Sequence, residues 1–138
     1  MSNKKIIKVG EVMTPDVKTI EGTQTVDKAI ELMRNSGVSS LIVDRRNIDD
    51  EFGMVVVTDI ATKVIGPDKA PERVGIYEIM TKPVLTISEG MDIRYAVRLL
   101  GQFGISRALV TDKNRHLMGL VTLRDMVLRH ADENATRK

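Results

Sequence analysis

Gly119-Leu120-Val121-Thr122-Leu123-Arg124-Asp125 decides how this chain is read. It opens as an apolar, β-branched run behind a glycine, the pattern of a buried strand. The period changes at Thr122: Leu123, Met126 and Val127 fall at helical spacing, with Thr122 as N-cap and Asp125 three residues on. A strand running straight into a helix leaves unpaired N–H groups and the positive end of the helix dipole at the junction, which suits a phosphate. Asp125 adds an acceptor-only carboxylate, which repels a phosphate but suits a sugar diol. The same residues also read as a capping box with no ligand.

Outward from this stretch the chain proves to be duplicated. Shifted by 67 positions, residues 11–43 overlie 78–110, with identities including Glu11/Glu78, Met13/Met80, Thr14/Thr81, Val17/Val84, Gly37/Gly104, Ser39/Ser106 and Val43/Val110. Past a turn one residue shorter in the second copy, Gly53/Gly119, Val55/Val121 and Asp59/Asp125 coincide at a shift of 66. Each copy reads alike. A segment ending in Met-Thr leads through a proline-bearing bend to a brief extended run, Val17–Ile20 or Val84–Ile87. An amphipathic helix follows, with Val26, Ala29, Ile30 and Met33, or Ile93, Ala96, Val97 and Leu100, at i, i+3, i+4, i+7. Gly37 and Gly104 end it. Hairpins come next: Ser40–Val43 with Met54–Val57, and Ala108–Thr111 with Leu117–Val121. A second helix closes each copy, near Asp59–Val64 and Leu123–Arg129.

The expectation is an α/β (α+β) fold of two β-α-β-β-α repeats related by a pseudo-two-fold axis, each small sheet packed by two helices. The repeats span 8–65 and 75–130. A linker at 66–74 is read from Gly66, Pro67 and Pro71, and a flexible tail at 131–138 from its polarity.

Composition narrows the chemistry. At 138 residues the chain makes one domain or two small fused ones. It is 42% hydrophobic but only 3% aromatic, which argues against nucleic-acid binding by stacking, and the net charge of +2 is interspersed, so no DNA partner is expected. With no cysteine, disulfides, thiolate metal sites and cysteine nucleophiles are excluded. Met1-Ser2-Asn3-Lys4-Lys5 does not lead into a long apolar run, so no membrane association and a cytoplasmic location are expected. His116 and His130 have no carboxylate or second histidine at ligand spacing; His116 is placed in a hairpin turn and His130 in a last helical turn. Asp49-Asp50-Glu51 reads as a solvated loop, and Met33, Met54, Met80 and Met126 as core.

With the duplication established, the chain resembles a pair of CBS domains (the cystathionine β-synthase motif), the tandem unit also called a Bateman module. The marks are Val12-Met13-Thr14-Pro15, Gly104-Ile105-Ser106 before an apolar strand, and Gly-x-x-Thr-x-x-Asp in Gly119–Asp125. The resemblance implies a non-enzymatic regulatory module that needs no cofactor and binds an adenosine-containing ligand in the cleft between repeats. That ligand is AMP, ADP or ATP first, with NAD or S-adenosylmethionine also in the family's range. It further implies a homodimer acting in trans on an effector protein that the sequence does not identify.

Carried over residue by residue, the resemblance places the ribose on Asp125, a hydroxyl contact on Thr122 and phosphate contacts on Arg124 and Arg107. It places the adenine between Met80, Thr81, Pro83 and Val84 on one side and Ile105, Ser106 and Arg107 on the other. The first copy, Gly53-Met54-Val55-Val56-Val57-Thr58-Asp59, has Val56 in place of Thr122 and Thr58 in place of Arg124. A second site is therefore expected there, of Asp59, Thr58, Val17, Val38 and Ser39, that is weaker, empty or selective for something other than a mononucleotide. Lys18, Arg45 and Lys63 lie nearby in sequence without an assigned direction. The competing reading is an assembly module that dimerises a partner and binds nothing small.

Overall fold

The computed structural model describes residues 5–136. Met1–Lys4, part of the segment read for a leader, and residues 137–138 of the expected tail lie outside the described residues. In chain order the elements are α1 (Val9–Val12), β1 (Thr19–Ile20), α2 (Val26–Ser36), β2 (Ser40–Val43), β3 (Gly53–Val56), α3 (Val57–Ile60), β4 (Thr86–Ser88), α4 (Ile93–Phe103), β5 (Arg107–Thr111), β6 (Leu117–Thr122) and α5 (Leu123–Thr136). The order β-α-β-β-α thus occurs twice.

The two amphipathic helices form where the periodicity places them. Val26, Ala29 and Met33 are buried along α2, and Ile93, Ala96 and Leu100 along α4. Gly37 and Gly104 end them in the left-handed region, at φ 68° and 66°, where a side chain would be strained. In each sheet the first strand pairs parallel with the second, and the second antiparallel with the third: β1-β2-β3 and β4-β5-β6. Buried aliphatics from sheet and helices fill each core, around Leu41, Val55 and Val64 in one and Leu100, Val110 and Met126 in the other.

In space the chain forms two compact units that cut across the sequence repeats. One is Val17–Val84, carrying the first motif; the other joins the described residues up to Asp16 with those from Leu85 onward, and carries the second. The opening segment of each repeat is therefore exchanged. Thr14 pairs with Leu120 in the second-motif unit, and Thr81 pairs with Met54 in the first-motif unit. Residues 66–74 are themselves structured: Pro71–Arg73 form a 3-10 turn, Val74 is buried, and its carbonyl accepts from Val26 N–H at 2.8 Å.

Several boundaries differ from the sequence expectation. The extended runs read over Val17–Ile20 and Val84–Ile87 are strand at Thr19–Ile20 and Thr86–Ser88, and hairpin strand ends shift by a residue. Three differences are larger. Val57, read as strand, starts α3, its N–H donating to the Ser39 carbonyl at 2.9 Å. The helix expected over Asp59–Val64 is α-helical only to Ile60 and continues as a π-turn, Ala61–Ile65. There the Thr62 hydroxyl bonds back to the Thr58 carbonyl at 2.8 Å, an arrangement that bends helices, and β-branched Thr62, Val64 and Ile65 weaken α propensity. Finally, α5 runs through Thr136, so most of the segment read as a flexible tail is helical and His130 lies within the helix rather than in its last turn.

Candidate functional site

The second motif is built around a close crossing. Gly119 is buried, and a Cβ there would lie 2.5 Å from the Thr14 carbonyl oxygen and 2.9 Å from Met13 Sδ. Only hydrogen allows the Met13-Thr14 chain to pass, with Thr14 and Leu120 exchanging backbone hydrogen bonds at 2.8 and 3.0 Å. Three residues on, Thr122 ends β6 and caps α5: its Oγ1 accepts from the Asp125 N–H at 3.1 Å, as the sequence predicts. The Ser106 carbonyl accepts from Leu123 N–H at 2.9 Å, tying the preceding loop to the same helix start. Arg107 opens β5 directly opposite Thr122.

Thr122, Arg124, Asp125, Ile105, Ser106 and Arg107 thus meet at one end of the β5–β6 hairpin, around the start of a helix of 14 residues. Asp125 is half-buried, and its carboxylate has no hydrogen-bond or ion-pair partner among the described residues. Arg107 is half-buried and Arg124 exposed, and neither guanidinium is paired among the described residues. The arrangement offers helix N–H groups and two cations to an anion, beside one acceptor for hydroxyls.

The first motif repeats the crossing but not the cap. A Cβ on Gly53 would meet Met80 Sδ at 3.0 Å and the Thr81 carbonyl oxygen at 3.2 Å, while Met54 and Thr81 exchange backbone hydrogen bonds at 2.9 and 2.8 Å. Val56 offers no hydroxyl. The Asp59 carboxylate is engaged instead: Oδ2 accepts from Val56 N–H at 3.3 Å, and Oδ1 lies 3.5 Å from Lys63 Nζ. Thr58 and Ser39 are exposed, Val17 and Val38 half-buried. Of the three nearby cations, only Lys63 reaches the motif aspartate. The Arg45 guanidinium sits 4.9 Å over the Phe52 ring, and Lys18 is exposed.

Met80, Thr81, Pro83 and Val84 belong to the first-motif unit, whereas the other residues of the expected second-motif site belong to the second-motif unit. Met80 packs on the first-motif core and Val84 N–H donates to the Phe52 carbonyl at 3.3 Å. Within the second-motif unit, the Met-Thr that crosses the motif glycine is Met13-Thr14. The Met-Thr repeat is visible in the sequence; its exchange is not.

Two polar readings are corrected. Asp50, expected in a solvated loop, is only 12% exposed at its side chain. It accepts from Arg46 N–H at 2.9 Å and pairs with Lys82 Nζ at 2.8 Å, and these two bonds hold its carboxyl far below the ordinary carboxylate range. His116, read as having no carboxylate at ligand spacing, has Asp112 Oδ2 3.3 Å from its Nδ1. Asp112 also caps the turn, accepting from the backbone N–H groups of His116 and Asn114 at 2.9 and 2.8 Å, and its carboxyl is lowered chiefly by the His116 N–H. No group of three or more His, Cys, Asp or Glu among the described residues is placed to hold a metal ion. Met33, Met54 and Met126 are buried in the core as expected. No helix among the described residues is long and apolar enough to cross a membrane.

Known proteins carry the same architecture. The family model for the CBS domain matches residues 9–66 and 76–131. An uncharacterized protein of Methanopyrus kandleri is 34% identical over 88% of this chain and 61% of its own length. The inosine-5'-monophosphate dehydrogenase of Methanocaldococcus jannaschii is 30% identical over 94% of this chain but only 25% of its own length. The chain thus spans less than two thirds of these relatives. Among solved structures, a hexameric CBS-CP12 protein from bloom-forming cyanobacteria superposes with a TM-score of 0.82 at 33% identity, covering 91% of this chain and 69% of that one. The CBS domain of a bacterial CNNM/CorC family Mg2+ transporter, solved in complex with ATP, superposes with a TM-score of 0.74 at 26% identity, covering 87% of this chain and 84% of that one. With two matched segments filling most of its length, the chain belongs to the CBS domain family.

Proposed function

We propose that this chain is a regulatory module that binds an adenine nucleotide, AMP, ADP or ATP, and signals in trans to an effector protein. The observation that carries the reading is the Asp125 carboxylate, unpartnered among the described residues, beside the Thr122 cap, with Arg107 opposite that cap and Arg124 in the first turn of α5. A ribose diol donates to Asp125, and a phosphate is drawn to the helix start and the two guanidinium groups. Charge-assisted hydrogen bonds contribute about 1.5–3 kcal/mol each, so three with a buried base reach the roughly 8 kcal/mol of micromolar affinity. The relative solved with ATP supports the ligand class. At the first motif Lys63 already engages Asp59 and no hydroxyl stands at Val56, so binding there is weaker. A ligand signals only by favouring one arrangement of the module over another.

The module assembles as a homodimer in this reading. In the second-motif unit α4 and α5 present exposed Tyr95, Val127 and Leu128 and enclose an apolar groove of about 360 Å³ floored by Ile93, Val97 and Met126. Apolar surface of this kind marks association, and the hexameric relative supports an oligomer.

Calorimetric titration of the purified protein with AMP, ADP, ATP, NAD and S-adenosylmethionine tests the proposal. Saturable micromolar binding of an adenine nucleotide is expected. No heat and no thermal shift with all five contradicts it and leaves a ligand-free assembly module as the account.

A further inference from the structure

Each motif aspartate is followed four residues later by a cation, Lys63 after Asp59 and Arg129 after Asp125. At that spacing aspartate and cation share one face of the closing helix. Both cations reach back to the main chain just before the crossing Met-Thr. Lys63 Nζ donates to the Ile79 carbonyl at 3.3 Å while lying 3.5 Å from Asp59. Arg129 Nη1 donates to the Glu11 carbonyl at 3.3 Å, with Nη2 4.0 Å from the Glu11 carboxylate. Ile79 caps the 3-10 turn that precedes Met80-Thr81, and Glu11 lies in α1, which precedes Met13-Thr14. The same grip occurs in both units between residues 16 and 118 positions apart in sequence, so local helix geometry alone does not account for it.

The gripped segments are the exchanged ones. Residues 76–81 continue through Val84 into the second-motif unit, and residues 9–14 continue through Asp16 into the first-motif unit. Whatever tightens the grip in one unit therefore acts on chain that enters the other.

Resting on the nucleotide reading above, we propose that Lys63 and Arg129 are positioning residues that couple occupancy of each motif to the Met-Thr segment crossing it. A diol donating hydrogen bonds to the Asp59 carboxylate draws that carboxylate from Lys63 and leaves the ammonium to the Ile79 carbonyl. Burial under the ligand strengthens that bond by removing water. At the second motif, ordering the first turn of α5 around the ligand fixes Arg129 one turn later on the Glu11 carbonyl. Exchange of the Met80 and Thr81 amides, and of Met13 and Thr14, slows in consequence.

Hydrogen–deuterium exchange of the full chain, with and without saturating ATP, tests the coupling in wild type and in Lys63→Met, Lys63→Arg, Arg129→Met and Arg129→Lys, alongside calorimetry on each. The wild type is expected to show at least about threefold slower exchange over 76–81 and 9–14 with ATP. Lys63→Met loses the effect over 76–81 and Arg129→Met over 9–14, the latter with affinity within about threefold of wild type. The Arg and Lys replacements restore it. Protection that persists in both Met variants overturns the proposal, as does wild-type binding without protection. Loss in the Met variants with no rescue by the conservative ones assigns the two side chains a purely structural role and also overturns it. Absence of any nucleotide binding by the wild type is a different outcome, and contradicts the ligand reading itself.

Discussion

The Thr14 carbonyl oxygen lies 2.5 Å from the point a Cβ on Gly119 would occupy, whereas the Thr81 carbonyl lies 3.2 Å from that point on Gly53. The nearest atom at Gly53 is the Sδ of Met80, at 3.0 Å, the movable part of a flexible side chain. Gly119→Ala must push a hydrogen-bonded backbone away and is expected to cost about 3 kcal/mol; Gly53→Ala is expected to cost about 1 kcal/mol. Urea unfolding of both variants checks the difference, and equal losses contradict the close crossing at Gly119.

Thr122 stabilises α5 whether or not a ligand is bound. Thr122→Val removes the acceptor for the Asp125 N–H and reproduces the residue found at Val56. A loss of about 1 kcal/mol is expected in the absence of nucleotide, with Thr122→Ser close to wild type. Denaturation midpoints of the two variants measure it; a neutral Thr122→Val contradicts the cap.

Asp50 anchors the β2–β3 loop to Lys82, and its carboxyl is held far below the ordinary value of 3.8. A depressed folded pKa means stability that is present above the unfolded value and lost as pH falls through the folded one. Asp50→Asn is therefore expected to melt below wild type at pH 7. The gap persists down to about pH 4–5 and closes at more acid pH, as the wild-type carboxylate protonates. A gap that closes between pH 6 and 8 contradicts this assignment.

If α4 and α5 form the dimer face, a charge placed on it is not tolerated. Val127 is 58% exposed, so Val127→Glu leaves the core of the unit intact. Sedimentation is expected to show a dimer for wild type and a folded monomer for the variant. An unchanged oligomer places the interface elsewhere.

Much of this was legible because it rests on local pattern. The 3.6 spacing of Val26, Ala29 and Met33, the helix-ending Gly37 and Gly104, and the Thr122 cap all appear where periodicity and capping chemistry put them. The exchange of the Met-Thr segments was not legible, because Met13/Met80 and Thr14/Thr81 align identically whether each packs on its own repeat or on the other. The Asp50–Lys82 pair joins residues with no periodic relation, so an acidic run passed for a solvated loop. The i, i+4 spacing of Asp59 and Lys63 lay open in the sequence, but the Ile79 carbonyl that completes the contact arises only from the fold. The tail misled by composition: Asp132, Glu133 and Asn134 look like solvated chain, yet they continue a helix already nucleated and packed through Met126.

The central claim is that the second motif binds an adenine nucleotide through Asp125. Titrating the nucleotide into Asp125→Ala and Asp59→Ala beside wild type tests it most directly. Micromolar binding abolished in Asp125→Ala and kept in Asp59→Ala is the predicted result. Binding that survives Asp125→Ala unchanged contradicts the account.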